Sequence, residues 1–289
     1  MKIAFIGLGA MGFPMAGHLA KQHQVTVWNR TRSVAERHSK EHHTRLAATL
    51  DECADSDAIF TILPTSAEVD EVVAGLGGKL RRGTLWIDAT SGDPLVSVKT
   101  AARLAAVRVD FVDAPVTGGI AGAEKATLTT MIGGSEANFR RAEEMVKPFS
   151  AKIFHCGPVG MGHAVKVITN TMNAANIWVA GEALLGLRTM GMEPRLALEI
   201  INAGSGRSNA TENLVPKRVV ENEWPLAFKL SLHDKDVRIA NSLMHSQRLF
   251  APLFALVGQL FTAAHHDLGE DADYIEVLKF GARLSGKEW

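Results

Sequence analysis

The chain has 289 residues, room for about two domains at the usual ~100–200 residues each. Its 31 basic and 31 acidic side chains cancel, so small molecules are the expected partners, with neither nucleic acid nor an anionic membrane among them. Two cysteines, Cys53 and Cys156, stand far apart without metal-ligand spacing, which argues against a disulfide framework or a metal site and fits a reducing cytoplasm.

Lys2-Ile3-Ala4-Phe5-Ile6 is an apolar run suited to a buried parallel strand, and it opens directly into Gly7-Leu8-Gly9-Ala10-Met11-Gly12 and a helical pattern through Leu19. The early glycines interrupt any signal-peptide core, and no apolar run reaches membrane-spanning length, so a soluble protein is expected. The hexapeptide is G-x-G-x-x-G between strand and helix, the context dinucleotide binding requires. Its first glycine permits a tight turn, the second lets backbone approach a pyrophosphate, and the third allows close helix–strand packing.

The next strand, Val25 to Trp28, ends at Asn29-Arg30-Thr31-Arg32, where an NAD binder places an acid on the ribose 2′-hydroxyl. Asn29 cannot repel a 2′-phosphate and Arg30 can pair with one, so NADP is the preferred cofactor, with NAD possible. Strands and helices then alternate. Ala58 to Leu63 is a strand stopped by Pro64, with Ser66 as cap of the next helix. Thr84 to Asp88 precedes Ala89-Thr90-Ser91-Gly92 and an Asp93-Pro94 helix start, and further strands are read at 109–113, 128–132 and 152–155. Ligands of an open α/β sheet bind beyond the carboxyl ends of its strands, which directs attention to Leu63-Pro64-Thr65, Thr90-Ser91 and Asp113-Ala114-Pro115-Val116-Thr117-Gly118-Gly119. In the last loop, the Thr117 hydroxyl and the unobstructed amides of Gly118 and Gly119 would suit a carboxylate, although an ordinary turn reads the same way.

From His163 to Met190 the pattern is one long helix of about 40 Å at ~1.5 Å per residue, apolar on nearly every face and so expected to be buried all round. Gly157-Pro158-Val159-Gly160-Met161-Gly162 leads into it, Gly191 stops it and Pro194 starts the next helix. Lys166 is the anomaly, an ammonium among Val165, Val167 and Ile168 with Asn170 one turn later on the same face. Beyond it the patterns are helical: 196–202, 214–221, 230–243, 252–264 and 274–284. The loop Ser205-Gly206-Arg207-Ser208-Asn209 reads equally as a helix cap or as part of a substrate pocket, and His233-Asp234-Lys235-Asp236 reads as a solvated charged turn. The adjacent pairs His42-His43 and His265-His266 read as surface residues.

Taken together, four stretches resemble the β-hydroxyacid dehydrogenase family over nearly the whole chain. Gly7 to Gly12 is similar to its cofactor fingerprint, and Asp113 to Gly119 to its substrate-binding motif, with Thr117 where many members have Ser. Gly157-x-x-Gly160-x-Gly162-x-x-x-Lys166-x-x-x-Asn170 matches its catalytic motif, and Lys235-Asp236-Val237 resembles a later cofactor-site motif that more often ends in Leu. The resemblance implies Lys166 as catalytic acid/base, Asn170 as a substrate-orienting group, and Thr117, Gly118 and Gly119 as carboxylate binders. It also implies that Ser91 and Lys235 touch the cofactor, although Asp88-Ala89-Thr90-Ser91 exchanges the order of the commoner Ser-Thr pair. With these, the expected cofactor contacts are Gly7, Leu8, Gly9, Ala10, Met11, Gly12, Asn29, Arg30, Thr31, Leu63, Pro64, Ser91 and Lys235.

Within the family, Gly206-Arg207-Ser208 looks like the 3-hydroxyisobutyrate dehydrogenases, whereas Asn29-Arg30-Thr31 resembles the NADP-using glyoxylate and succinic semialdehyde reductases. The expectation is therefore an α/β protein. A Rossmann-type doubly wound domain (1–160) should be joined through a long helix to an all-α domain (161–289), with the substrate in a cleft between them. Its activity would be the NADP-preferring interconversion, by hydride transfer, of a small 3-hydroxyisobutyrate-like β-hydroxy acid and its semialdehyde, with glyoxylate or succinic semialdehyde reduction as the nearest alternative. A nonenzymatic NADP-binding scaffold is the alternative of another class. A homodimer or homotetramer built through the helical domain follows from the resemblance.

Overall fold

In the computed structural model, which describes residues 1–289, the chain divides into two compact units, Met1–Lys166 and Val167–Trp289. The first contains β1 (Lys2–Ile6), α1 (Gly12–Ala20), β2 (Gln24–Trp28), α2 (Arg32–His42), β3 (Arg45–Leu46), β4 (Ala58–Thr61), α3 (Ser66–Leu76) and β5 (Leu85–Asp88). It continues through α4 (Pro94–Ala106), β6 (Asp110–Asp113), β7 (Val116–Thr117), α5 (Gly119–Glu124), β8 (Leu128–Gly133), α6 (Glu136–Val146) and β9 (Ser150–Gly157) to the first turns of α7 (Met161–Thr189).

One sheet runs in the order β3-β2-β1-β4-β5-β6-β8-β7, with β9 alongside β8. Its first six strands are parallel, whereas β8 meets β6 and β7 antiparallel and β9 parallel. The strands are buried on both faces, so side chains alternate between two cores. Ile3, Phe5, Phe60, Ile87 and Val112 face one, and Ala4, Ile6, Ile59, Trp86 and Phe111 face the other. From β1 the chain moves outward to β2 and β3, then returns to β4 on the other side of β1. That is the topological switch point at which such sheets bind ligands.

Helix starts follow local chemistry, with one exchange. The Asp93 carboxylate accepts the Leu95 N–H at 2.8 Å with Pro94 in the first turn, as the sequence predicts. For α3, however, Thr65 and not Ser66 is the cap, in a reciprocal capping box with Glu68. Ser66 is the first helical residue, and its hydroxyl accepts the Asp93 N–H at 2.8 Å.

The second unit holds the rest of α7, then α8 (Pro194–Ala203), two π-helical turns (Ala210–Leu214 and Pro216–Val220), α9 (Leu230–Ser246), α10 (Pro252–Leu268) and α11 (Val277–Leu284). Its core gathers Ala174, Ile177, Leu184, Val237, Phe261 and Leu278. Contrary to the expectation from composition, α7 is not buried all round. Val167, Thr171, Ala174, Ile177 and Leu184 form a covered stripe at helical spacing, while Met172 and Val179 are more than half exposed. No helix is long and apolar enough to cross a membrane.

Candidate functional site

The glycine-rich turn after β1 has the geometry its sequence foretells. Gly7 lies at φ +101°, and a Cβ there would stand 2.2 Å from the Ile62 carbonyl oxygen. A Cβ on Gly12 would come within 2.0 Å of the Gly7 oxygen, whereas one on Gly9 would meet nothing within 4 Å. The second glycine thus opens backbone to solvent while the first and third close the turn. No side chain caps α1, whose first-turn Phe13 N–H meets the Gly9 carbonyl at 3.0 Å; a helix N-terminus behind an open glycine turn is the usual place of a pyrophosphate.

Asn29 has a role the sequence did not show. Its Oδ1 accepts the Leu8 N–H at 2.9 Å and its Nδ2 donates to the Thr31 carbonyl at 2.9 Å, so it braces the fingerprint turn against the end of β2. The Leu8 amide is thereby already engaged. Arg30 and Thr31 beside it are exposed. Burial pushes the Glu68 carboxyl up, but hydrogen bonds from Thr65 and the backbone, with the Arg30 charge, outweigh it and hold the group below its usual range.

A buried polar chain joins the ends of β4 and β5. Trp86 Nε1 donates to Thr61 Oγ1 at 3.1 Å, the Thr61 hydroxyl donates to Asp88 at 2.9 Å, and Asp88 also accepts the Thr90 N–H at 3.1 Å. The Thr90 hydroxyl in turn accepts the Leu63 N–H at 3.1 Å. Thr90 is therefore an internal brace, and Ser91 follows it half-buried on the loop beyond the end of β5. Leu63 is half-buried and Pro64 exposed on the neighbouring loop.

Thr117 ends β7 opposite Thr129 and is half-buried. Gly118 follows at φ +131° and Gly119 at φ +64°, and α5 begins there without a side-chain cap.

Lys166 is half-buried in the second turn of α7, and Asn170 follows one turn later on the same helix. Asn170 Nδ2 donates to Asp236 Oδ2 at 2.6 Å, and the Asn170 carbonyl accepts from His233 Nε2 at 2.9 Å. Lys235 pairs with the other Asp236 oxygen at 3.0 Å, its side chain only 13 % exposed. The run His233-Asp234-Lys235-Asp236 is thus no solvated turn. His233, Asp234 and Asp236 are buried, because α9 turns this face inward, against Asn170 and the aromatic rings of Phe228, Phe261 and Tyr274. In the 205–209 loop, Ser208 Oγ accepts the Thr211 N–H at 3.2 Å, next to the first π-helical turn.

A mostly parallel sheet with an open glycine turn at its switch point, followed by a long helix that carries Lys166 and Asn170, defines the class of nicotinamide-dinucleotide oxidoreductases. Comparison with known proteins narrows this. The family described as the NAD binding domain of 6-phosphogluconate dehydrogenase matches residues 2–157, and that described as NAD-binding of NADP-dependent 3-hydroxyisobutyrate dehydrogenase matches residues 160–280. Among curated relatives, 2-(hydroxymethyl)glutarate dehydrogenase of Eubacterium barkeri is 36% identical over 99% of this chain and 96% of its own. The mitochondrial 3-hydroxyisobutyrate dehydrogenase of Homo sapiens is 32% identical over 96% of this chain and 86% of its own. The solved structure of Mycobacterium tuberculosis 3-hydroxyisobutyrate dehydrogenase with L-serine superposes with a TM-score of 0.89 at 28% identity, covering 96% of this chain and 97% of that one. The chain belongs to the 3-hydroxyisobutyrate dehydrogenase family of NAD(P)-dependent β-hydroxyacid dehydrogenases.

Proposed function

We propose that this enzyme prefers NADP and interconverts a small 2-(hydroxymethyl) carboxylate and its semialdehyde, with Lys166 as acid/base. The substrate class is supported by the relatives' names. 3-Hydroxyisobutyrate, 2-(hydroxymethyl)glutarate and L-serine share a hydroxymethyl group on the carbon that bears a carboxylate, and they differ only in the third substituent. The observation that carries the reading is the pair on α7: Lys166 one turn before Asn170, whose amide is fixed by Asp236 at 2.6 Å.

The residues fit a dinucleotide. Gly9 leaves room for a pyrophosphate before the uncapped start of α1, and Arg30, exposed just past the end of β2, is the proposed partner of a 2′-phosphate. Leu63, Pro64, Ser91 and Lys235 complete the proposed cofactor contacts. When bound, the nicotinamide supplies the hydride chemistry. The chain's own part is to orient and to move a proton. Thr117 and the amides of Gly118 and Gly119 hold the carboxylate, and Asn170 orients the hydroxyl. Lys166 Nζ takes the hydroxyl proton as the alcohol is oxidised and returns it in the reverse direction. We further propose a homodimer or homotetramer and a cytoplasmic location, the latter because Cys53 and Cys156 are both free thiols.

The test is a panel of 2-(hydroxymethyl) carboxylates with NADP⁺ and NAD⁺, and of aldehydes with NADPH, on the parent, Lys166→Ala and Lys166→Arg. Turnover of the hydroxy acids is expected, with kcat lower by ~10²–10⁴-fold in Lys166→Ala. Arg should not restore it, because a guanidinium keeps its proton. Parental turnover by the Arg variant would reject the acid/base role, and turnover confined to glyoxylate and succinic semialdehyde would reject the substrate class.

A further inference from the structure

The start of α7 is held in an unusual way. Helices commonly satisfy their first N–H groups with a neighbouring Ser, Thr, Asp or Asn. Here the acceptor is Asp113, distant in sequence and lying at the end of β6. Its Oδ1 accepts the Gly160 N–H at 2.7 Å and its Oδ2 the His163 N–H at 2.8 Å. Asp113 is fully buried, and its surroundings are cut to fit it. Gly133, its partner across β6 and β8, could not carry a Cβ, which would stand 2.5 Å from Oδ1. A Cβ on Gly162 would lie 2.4 Å from the Met131 carbonyl oxygen and 2.9 Å from Oδ2. The same turn is tied a second time, by His163 Nδ1 to Ser97 Oγ at 2.7 Å. Burial pushes the Asp113 carboxyl up, against the opposing pull of His163 and of the two N–H groups, so the chain keeps a desolvated carboxylate where a local hydroxyl cap would satisfy the same donors.

We propose that Asp113 is a positioning residue for Lys166: it fixes the first turn of α7 to the strand that continues into the Thr117-Gly118-Gly119 loop, setting where the amine stands relative to the bound carboxylate. Lys166 follows His163 by three residues, about 4.5 Å along the axis at ~1.5 Å per residue, so a shift of the anchored turn is carried directly to its Cα. A misplacement of ~1 Å costs a reaction on the order of 10²-fold. This inference rests on Lys166 being the acid/base.

The experiment uses the full-length enzyme and separates the two claims. Asp113→Asn keeps the shape but turns an NH₂ toward one of the two N–H groups. On folded, cofactor-saturated enzyme, its kcat for a 2-(hydroxymethyl) carboxylate should fall ~10–100-fold, with the Kd for NADPH close to parental. Lys166→Ala is then supplied with ethylamine as a diffusible substitute for the missing side chain. Its amine-restored rate should be the same with or without the added Asp113→Asn change, because a free amine needs no helix to place it. A parental kcat in Asp113→Asn overturns the proposal, as does an amine-restored rate that falls as far as the Lys166 rate does, which would make the carboxylate a general support of the site. Parental turnover by Lys166→Ala would instead remove the acid/base reading and the inference with it. Should Asp113→Asn fail to fold, Gly162→Ala displaces the same turn with the carboxylate intact, and the same two comparisons decide.

Discussion

Arg30 and Asn29 divide the work at the end of β2. Asn29 is an internal strut, its amide shared between Leu8 and Thr31, while Arg30 is exposed beside it. With an amide where an NAD binder carries an acid, nothing at this position repels a 2′-phosphate, and the exposed guanidinium can swing onto one. A charged hydrogen bond is worth ~1.5–3 kcal/mol, so Arg30→Ala should lower the ratio of kcat/KM for NADP⁺ to that for NAD⁺ by about 10-fold or more. An unchanged ratio removes Arg30 from 2′-phosphate recognition. Asn29→Asp is not the clean counterpart, because it would alter the brace on Leu8 as well as the charge.

At the scale of elements, most strands and helices of the first unit were legible because each carries its own signal: apolar runs at β1, β4 and β5, glycines at the α1 turn, Asp93-Pro94 before α4. The two-residue strands β3 and β7 were not, since so short a piece has no periodicity and exists only through its neighbour. The charged face of α9 was misread for a related reason. His233, Asp234 and Asp236 are buried by partners distant in sequence, Asn170 and Thr262 among them, and local composition is blind to such partners. The histidine pairs split: His43 and His266 are exposed as read, whereas His42 and His265 are half-buried against partners distant in sequence. His42 lies edge-on to Phe13 at 5.5 Å, and His265 reaches both Asp234 and Glu270.

His38 joins α2 to the elements around it and makes α2 sensitive to acid. It is fully buried, with Nε2 against the Phe13 carbonyl at 3.0 Å and Nδ1 against Thr44 Oγ1 at 2.9 Å. Burial first, then the charge of His42, lowers its pKa from 6.5 to about 4, against the pull of the Phe13 carbonyl. Between these values the unfolded chain takes up a proton that the folded chain refuses, so stability is complete above pH 6.5 and declines as pH falls toward 4. At ~1.36 kcal/mol per unit the loss from this group approaches about 3 kcal/mol. His38→Gln, which retains a donor and an acceptor, should flatten the dependence of the melting midpoint on pH across that window. A decline as steep as the parent's would place the acid sensitivity elsewhere.

At the scale of the whole molecule, the second unit leaves several large apolar side chains exposed. Phe250 is 96% exposed, Leu253 71%, Leu249 58% and Leu256 55%. Leu253 and Leu256 lie three residues apart in the first turns of α10, hence on one face, with Leu249 and Phe250 immediately before it. Scattered exposed leucines need no explanation, but four large exposed apolar side chains within residues 249–256, led by a phenylalanine, fit an association surface. With the charges of the chain balanced at neutrality, no global repulsion opposes pairing of like subunits. The proposed self-association through this unit therefore predicts a dimer or tetramer by light scattering at micromolar concentration. Replacing Phe250 and Leu253 together by Asp should shift the mass toward the 31.1 kDa of one chain. The variant should keep the fold of the first unit, which can be followed by NADPH binding. A parent that scatters as a monomer at every concentration, or a double variant whose mass is unchanged, would exclude this patch as the contact.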